Sequence, residues 1–256
     1  MGFLDRVLSK KSFDTRFGRA DIIVMPDEQG RRVRILRLEG TYQSGGYEGD
    51  DWAELAFAYY RRFDAVFEAP VPEGRPWRAL MLGGGGFAWP KHVLTERTDV
   101  QLDVVEADPQ IVGIARESFY LDKLEALLAR QGREGDLRII VDDAAVFLSQ
   151  TDARYDAIIN DVFQAACTPE QTATDAFFDH VARTLHPQGV YAQNVIVNLA
   201  RESPYQLFAL MTMLGERFAH VCTIDATDDR FGSADNCIVL ATNADISFKN
   251  AIPFSV

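Results

Sequence analysis

From residue 77 onward the chain alternates between two periods. The apolar runs RALML, VQLDVVEAD, LRIIVDD, YDAIINDVF and GVYAQNVI read as strands. Each is followed by a stretch with helical spacing: from 90 to 96, 109 to about 128, 144 to 149, 174 to 185 and 204 to 218. Nearly continuous apolar strands separated by helices require a parallel sheet covered on both faces. The last two runs, HVCTIDAT and NCIVLAT, have only a loop between them, so they must pair antiparallel. The fold class expected is therefore α/β: a Rossmann-like, mostly parallel seven-stranded sheet with an antiparallel last strand.

The first seventy residues follow another plan. DIIVM and RRVRILRL are β-rich runs separated by the turn PDEQG, and EGTYQSGGY supplies a further turn and a short strand. Trp52, Leu55, Ala56, Tyr59, Tyr60, Phe63, Val66 and Phe67 recur at intervals of three and four, which predicts an amphipathic helix. APVPEGRP then interrupts the pattern. The expected division is a small β region plus helix over 1–70 and a nucleoside-binding domain over 71–256.

Composition narrows the function classes. The 256 residues carry a net charge of −12, which makes nucleic acid and anionic lipid poor partners. No apolar run is long enough to span a bilayer, and MGFLDRVLSKK is not a signal peptide. Cys167, Cys222 and Cys237 are scattered, and the four histidines show no zinc spacing. The expectation is a cytoplasmic protein with a small-molecule substrate and no metal. An exposed edge in the β region suits a homodimer.

Candidate site residues gather at strand ends. Gly83, Gly84, Gly85 and Gly86 follow the strand RALML, with Pro90 placed for the first turn of a helix. Such a loop lets a ligand approach the backbone. Gly83, Gly85 and Ala88 also satisfy GxGxxG/A, so a nicotinamide reading stays open at this point. Glu106 ends the next strand, about twenty residues on, where a carboxylate can accept ribose hydroxyls. Asp143 ends the third strand, before Ala144, and can face an adenine amino group or cap a helix. Asp161 ends the fourth. In an open α/β sheet all four lie along the carboxyl edge, where ligands bind.

Taken in order, these stretches resemble the spermidine synthases (polyamine aminopropyltransferases), within the class I S-adenosylmethionine-dependent methyltransferase superfamily. Family motifs of the form LDGxxQ(S/T), GGGDGG, VExDP, GDAxxFL and YDxIIxDxxD correspond here to LEGTYQS, GGGGFA, VEADP, DDAAVFL and YDAIINDVFQ. LHPQGVYAQN likewise resembles LKPGGVLVQN. The resemblance implies that an S-adenosylmethionine-type donor, intact or decarboxylated, is the co-substrate. It implies that Gln43 reaches the donor's amino-acid tail, Glu106 and Ala107 the ribose region, and Asp143 and Ala144 the adenine. Asp161 becomes the acid that activates the attacking amine. Tyr42, Glu54 and Gln164 fall near the acceptor, with Trp52 where the family has a tyrosine two residues before Glu54.

Two departures coincide. The family's glycine-loop aspartate is Gly86, and its second aspartate after the fourth strand is Gln164. Buried ammonium groups without paired carboxylates are expensive, so the amine half of the site is expected to be remodelled and putrescine to be a poor substrate. Three readings follow: aminopropyl transfer to an amine, of which a polyamine is one form; methyl transfer from intact S-adenosylmethionine; and a non-catalytic nucleoside-binding homologue.

Overall fold

The computed structural model describes residues 7–70, 74–163, 170–197, 203–227 and 235–254. The amino-terminal part is a four-stranded antiparallel meander, β1 (Ser9–Thr15), β2 (Gly18–Pro26), β3 (Arg32–Leu38) and β4 (Thr41–Tyr47), paired in that order. Its β2–β3 turn is tied by Asp27, whose carboxylate accepts from the backbone N–H groups of Gln29 and Arg31. Strand β1 had no signature in the sequence. Its polar residues are mostly exposed, and it is held by backbone pairing to β2 from Ser9↔Val24 to Thr15↔Gly18.

The meander buries both faces. Ile23, Met25, Val33, Ile35 and Tyr47 enter the main core. Ala20, Ile22, Leu36 and Leu38 pack on the other side against Ile111, Ile114 and Phe119. The amphipathic helix expected over 52–67 is replaced by turns and an eleven-residue 3-10 helix, Ala58–Glu68. Leu55 forms an isolated antiparallel bridge with Gly46, which draws residues 52–57 out of helical geometry. In the 3-10 helix Tyr60, Phe63 and Val66 stack at intervals of three on its buried face. The sequence spacing fits either helix, because a run of three- and four-residue steps does not separate 3.0 from 3.6 residues per turn.

The large sheet contains β5 (Trp77–Leu82), β6 (Val100–Glu106), β7 (Leu137–Val141), β8 (Tyr155–Asn160), β9 (Leu185–Val197), β10 (His220–Asp225), β11 (Asp235–Thr242) and β12 (Ile252–Pro253). Their order is β12-β10-β11-β9-β8-β5-β6-β7. Strands β5 to β9 pair parallel, and β11 runs antiparallel to both β9 and β10. This is the expected sheet with a two-residue eighth strand added on the β10 edge. Chain order reverses between β5 and β8, so the crevice above that pair is the topological switch point. At the opposite end Arg75 donates two hydrogen bonds of 2.6 Å to Asp156, joining the segment before β5 to the start of β8.

Helices α1 (Ala88–Glu96), α2 (Pro109–Ser118), α3 (Leu121–Arg130), α4 (Ala144–Gln150), α5 (Asp175–Thr184) and α6 (Ser203–Gly215) complete the fold. Two differ from expectation. Pro90 is the third residue of α1 rather than the first, still within the turn where its missing N–H costs nothing. The single helix expected from 109 to about 128 is broken into α2 and α3 at Phe119 and Tyr120, with Tyr120 at φ 61°. No glycine or proline marks the break. Phe119 turns inward, and the carbonyls released there accept from side chains: Ser118 from Arg34 and Phe119 from Lys91. Lys91 is 1% exposed. Burial, with the nearby Arg34 charge, lowers its amine to about 7.

Candidate active site

The ends of β5, β6 and β8 meet at the switch point, and Asp143 follows β7, one strand further along the same edge. Strand β5 runs into the glycine loop, whose first amide donates to the Val105 carbonyl at 2.8 Å. The Asp161 amide donates to the Leu82 carbonyl at 2.9 Å, which brings the end of β8 against the loop. Gly83 has φ 88°, and a Cβ there would lie 2.7 Å from the Asp161 carbonyl oxygen. A Cβ on Gly86 would lie 2.7 Å from Ser44 Oγ and 3.1 Å from the Phe119 ring. Close packing against β4 and β8 thus accounts for two of the four glycines. Phe87 adopts φ 54° where the resembling motif has glycine, and its fully buried ring lies under Gly84.

Glu106 organises this loop. Its Oε2 accepts from the amides of Gly84 (2.9 Å) and Gly85 (3.1 Å), and its Oε1 from that of Asp108 (3.0 Å). Burial raises its carboxyl above the usual range, while the three N–H groups oppose that rise. A carboxylate offers about four acceptor positions, so Oε1 keeps room for a further donor. Asp108 caps α2 through Gln110 N and also accepts from the Arg16 amide at 2.7 Å. The Arg16 guanidinium reaches the Ala107 carbonyl at 3.5 Å. The β1–β2 turn is therefore linked by hydrogen bonds, through Asp108 and Glu106, to the glycine loop.

Asp143 caps α4. One oxygen accepts from the amides of Ala145 (2.9 Å) and Val146 (3.2 Å), and its other oxygen takes no part in the cap. Ala144 is buried beside it. The capping alternative read from the sequence is realised, and it leaves an acceptor for a ligand.

Asp161 is half-buried at the end of β8. Its Oδ1 accepts from Asn194 Nδ2 at 2.9 Å and its Oδ2 from the Tyr59 hydroxyl at 3.2 Å. Asn236 in turn donates to Asn194 Oδ1 at 2.8 Å. Burial raises the Asp161 carboxyl to about 7, against the lowering effect of these two hydrogen bonds. Beneath it Asn160 donates to the Tyr191 hydroxyl, which donates to Gln193, while Asn160 Oδ1 accepts from Val162 N. This buried network fixes the turn that carries Asp161.

Other candidates are more dispersed. The Gln43 carbonyl and the Ser44 side chain border Gly85, and Ser44 Oγ lies 3.1 Å from the Tyr60 hydroxyl. Tyr42 stacks with Phe57 at 6.4 Å. Glu54 accepts from Arg31 at 2.8 Å, on the β2–β3 hairpin side, and no described bond joins it to Asp161. Its amide donates to the Asp51 carbonyl in a backbone turn. Gln164 lies outside the described residues. Tyr59, Asn194 and Asn236 were not singled out from sequence. Asn194 closes the AQN stretch and could have been, whereas Tyr59 was indistinguishable from the other apolar positions of its segment.

Residues 68–223, more than half of the chain, match the spermine/spermidine synthase domain. The chain belongs to the spermine/spermidine synthase family. The polyamine aminopropyltransferase of Ruegeria sp. strain TM1040 is 30% identical over 166 residues, 64% of this chain and 52% of that protein. The chain thus spans about half the length of that relative. In structure, a probable spermidine synthase from Corynebacterium glutamicum has a TM-score of 0.74 at 23% identity, covering 93% of this chain and 81% of the other. A spermidine synthase in complex with the transition-state analogue AdoDATO gives 0.69 at 17% identity, covering 94% and 74%. Gly86 and Phe87 stand where the motif resembled in the sequence, GGGDGG, has aspartate and glycine.

Proposed function

We propose that this chain transfers an aminopropyl group from decarboxylated S-adenosylmethionine to an amine. The observation that carries the reading is the Asp161 cluster: a carboxyl raised to about 7, fixed by two donors and set against the glycine loop. Family membership supplies the reaction class, and the relatives named above are aminopropyltransferases or spermidine synthases. In this reading the loop, Glu106 and Asp143 hold the adenosyl group, and Gln43 lies toward the aminopropyl tail. The amine nitrogen attacks the tail carbon bonded to sulfur. The C–S bond breaks, its electron pair stays on sulfur, and 5′-methylthioadenosine leaves. Asp161 takes the proton that the nitrogen must lose. The sulfonium is a good leaving group, so alignment and a neutral nucleophile are what the protein must provide. Methyl transfer draws less support: the Gly84 and Gly85 amides that could serve a donor carboxylate already bind Glu106.

A base must be ionised, so turnover is expected to rise with pH through about 7. Tyr59→Phe removes one of two hydrogen bonds that favour the charged carboxylate, and the inflection should move to higher pH. Methylthioadenosine release measured from pH 5.5 to 9 at saturating donor checks both. A flat profile, or an inflection that moves to lower pH in Tyr59→Phe, contradicts the assignment.

A further inference from the structure

Tyr59 is the first of three hydroxyls that lead away from Asp161. It is hydrogen-bonded to Tyr60, its neighbour in the 3-10 helix, and the Tyr60 hydroxyl lies 3.1 Å from Ser44 Oγ on β4. The rings are fixed: Tyr60 packs 4.1 Å from Tyr59 and stacks with Phe57 at 6.2 Å. Ser44 follows a slip in the β3–β4 register, where Arg37 pairs with Tyr42 and Leu36 with Ser44, a bulge of the kind that re-aims side chains. Behind Ser44 stands the glycine loop, where a Cβ on Gly86 would lie 2.7 Å from its Oγ.

The direction of the chain follows from its members. An ionised carboxylate only accepts, and each hydroxyl has one hydrogen. The Tyr59 hydrogen goes to Asp161, so in the next bond Tyr60 is the donor. The Tyr60 hydrogen is then used as well, so Ser44 donates to Tyr60. Ser44 and Tyr60 are at most 2% exposed, which leaves bulk water no place in the chain. Burial, and after it the Asp161 charge, pushes both phenols above their ordinary value of 10, so each keeps its hydrogen while Asp161 is ionised. All three O–H dipoles therefore point toward the carboxylate. Bonds in line polarise one another, and most strongly toward an ionised acceptor. The titratable groups facing Asp161 among the described residues are these two phenols. The other elements against it present neutral groups: Asn194 from β9, Asn236 beyond it from β11, and the backbone of Gly83 after β5.

We propose that Ser44 and Tyr60 are positioning residues, the outer links of a hydroxyl chain that runs Ser44 to Tyr60 to Tyr59 to Asp161 and favours the ionised carboxylate. Its bearing on catalysis rests on the reading of Asp161 as the base; the chain itself is tested without turnover. Carbon-13 NMR of the aspartate carboxyl groups, titrated from pH 5 to 9 in the free protein, reads Asp161 as the resonance absent from Asp161→Asn. In Tyr60→Phe its midpoint should rise by about 0.2–0.5. Ser44→Ala, one bond further out, should shift it the same way by less, and supplies the reading if Tyr60→Phe does not fold. Because Tyr60 acts through Tyr59, adding Tyr60→Phe to Tyr59→Phe should shift it no further. The inflection for methylthioadenosine release should move with the NMR midpoint. A midpoint unchanged in Tyr60→Phe and Ser44→Ala, or the same Tyr60→Phe shift with and without Tyr59, overturns the chain and leaves aminopropyl transfer standing. The expected midpoints in a protein that releases no methylthioadenosine support the chain and overturn the aminopropyl reading.

Discussion

Asp161→Asn should lower kcat by roughly 10²–10⁴-fold, the usual contribution of a positioned base, while donor affinity stays within about threefold. The substitution is nearly isosteric. Asn194 can still donate to the side-chain oxygen, and Tyr59, which donates to Oδ2 in the wild type, can accept from the new amide. What disappears is the proton acceptor. Stability should move the other way. The folded carboxyl is raised to about 7 from an ordinary value of 3.8, so the folded state holds more protons than the unfolded chain between those pH values. Wild-type stability therefore falls as pH rises from about 4 to about 7, and the full penalty of a buried ionised carboxylate remains above 7. Asp161→Asn removes that penalty. Its Tm at pH 8 should exceed that of the wild type, and the difference should vanish near pH 4. Steady-state kinetics and thermal melts on the same samples check both. A variant that loses donor affinity as much as rate, or that melts lower at pH 8, contradicts a poised base.

Glu106→Ala should weaken binding of the adenosyl donor by about 1.5–3 kcal/mol, or roughly 10- to 150-fold, measured by titration calorimetry. Two effects add. The ligand loses the acceptor capacity left on Oε1, and the amides of Gly84, Gly85 and Asp108 lose their partner. The second effect acts without ligand, so the free protein should also melt at a lower temperature. Glu106→Gln should fall between the two. Its oxygen can face Gly84 and Gly85, but its amide nitrogen then meets the Asp108 N–H, leaving that donor unpaired. Wild-type affinity in Glu106→Ala would remove the nucleoside from this edge of the sheet.

The strand-end residues were legible because the alternation of strand and helix places every such residue on one edge, whatever the helices do in detail. Gly83, Glu106, Asp143 and Asp161 needed nothing more than that rule. Glycine at 83 and 86 spoke of close approach, but the sequence could not say that part of what approaches is Ser44 and the Asp161 backbone. Tyr59 was hidden for a related reason. A buried aromatic at core spacing looks the same whether its hydroxyl meets water or a carboxylate. Three backbone features escaped because their determinants are distant in sequence. Strand β1 depends on an edge of β2 rather than on its own residues. The break at Phe119 is stabilised by Lys91 and Arg34. The turns over 52–57, where helix was expected, go with the bridge between Leu55 and Gly46. Glu54 was placed by motif alignment, and its partner Arg31 belongs to the β2–β3 hairpin.

The central claim is that a carbon–nitrogen bond forms at Asp161 as the donor's C–S bond breaks. A single-turnover reaction reads this directly: excess protein, decarboxylated S-adenosylmethionine labelled in its propylamine carbons, and a mixture of amines that includes putrescine, cadaverine and hexylamine, analysed by mass spectrometry. The account predicts one methylthioadenosine per donor consumed and the label in an N-aminopropyl derivative of the amine, with both products lost in Asp161→Asn. Donor that binds and returns intact, or S-adenosylhomocysteine formed from intact S-adenosylmethionine in a parallel reaction, would contradict it.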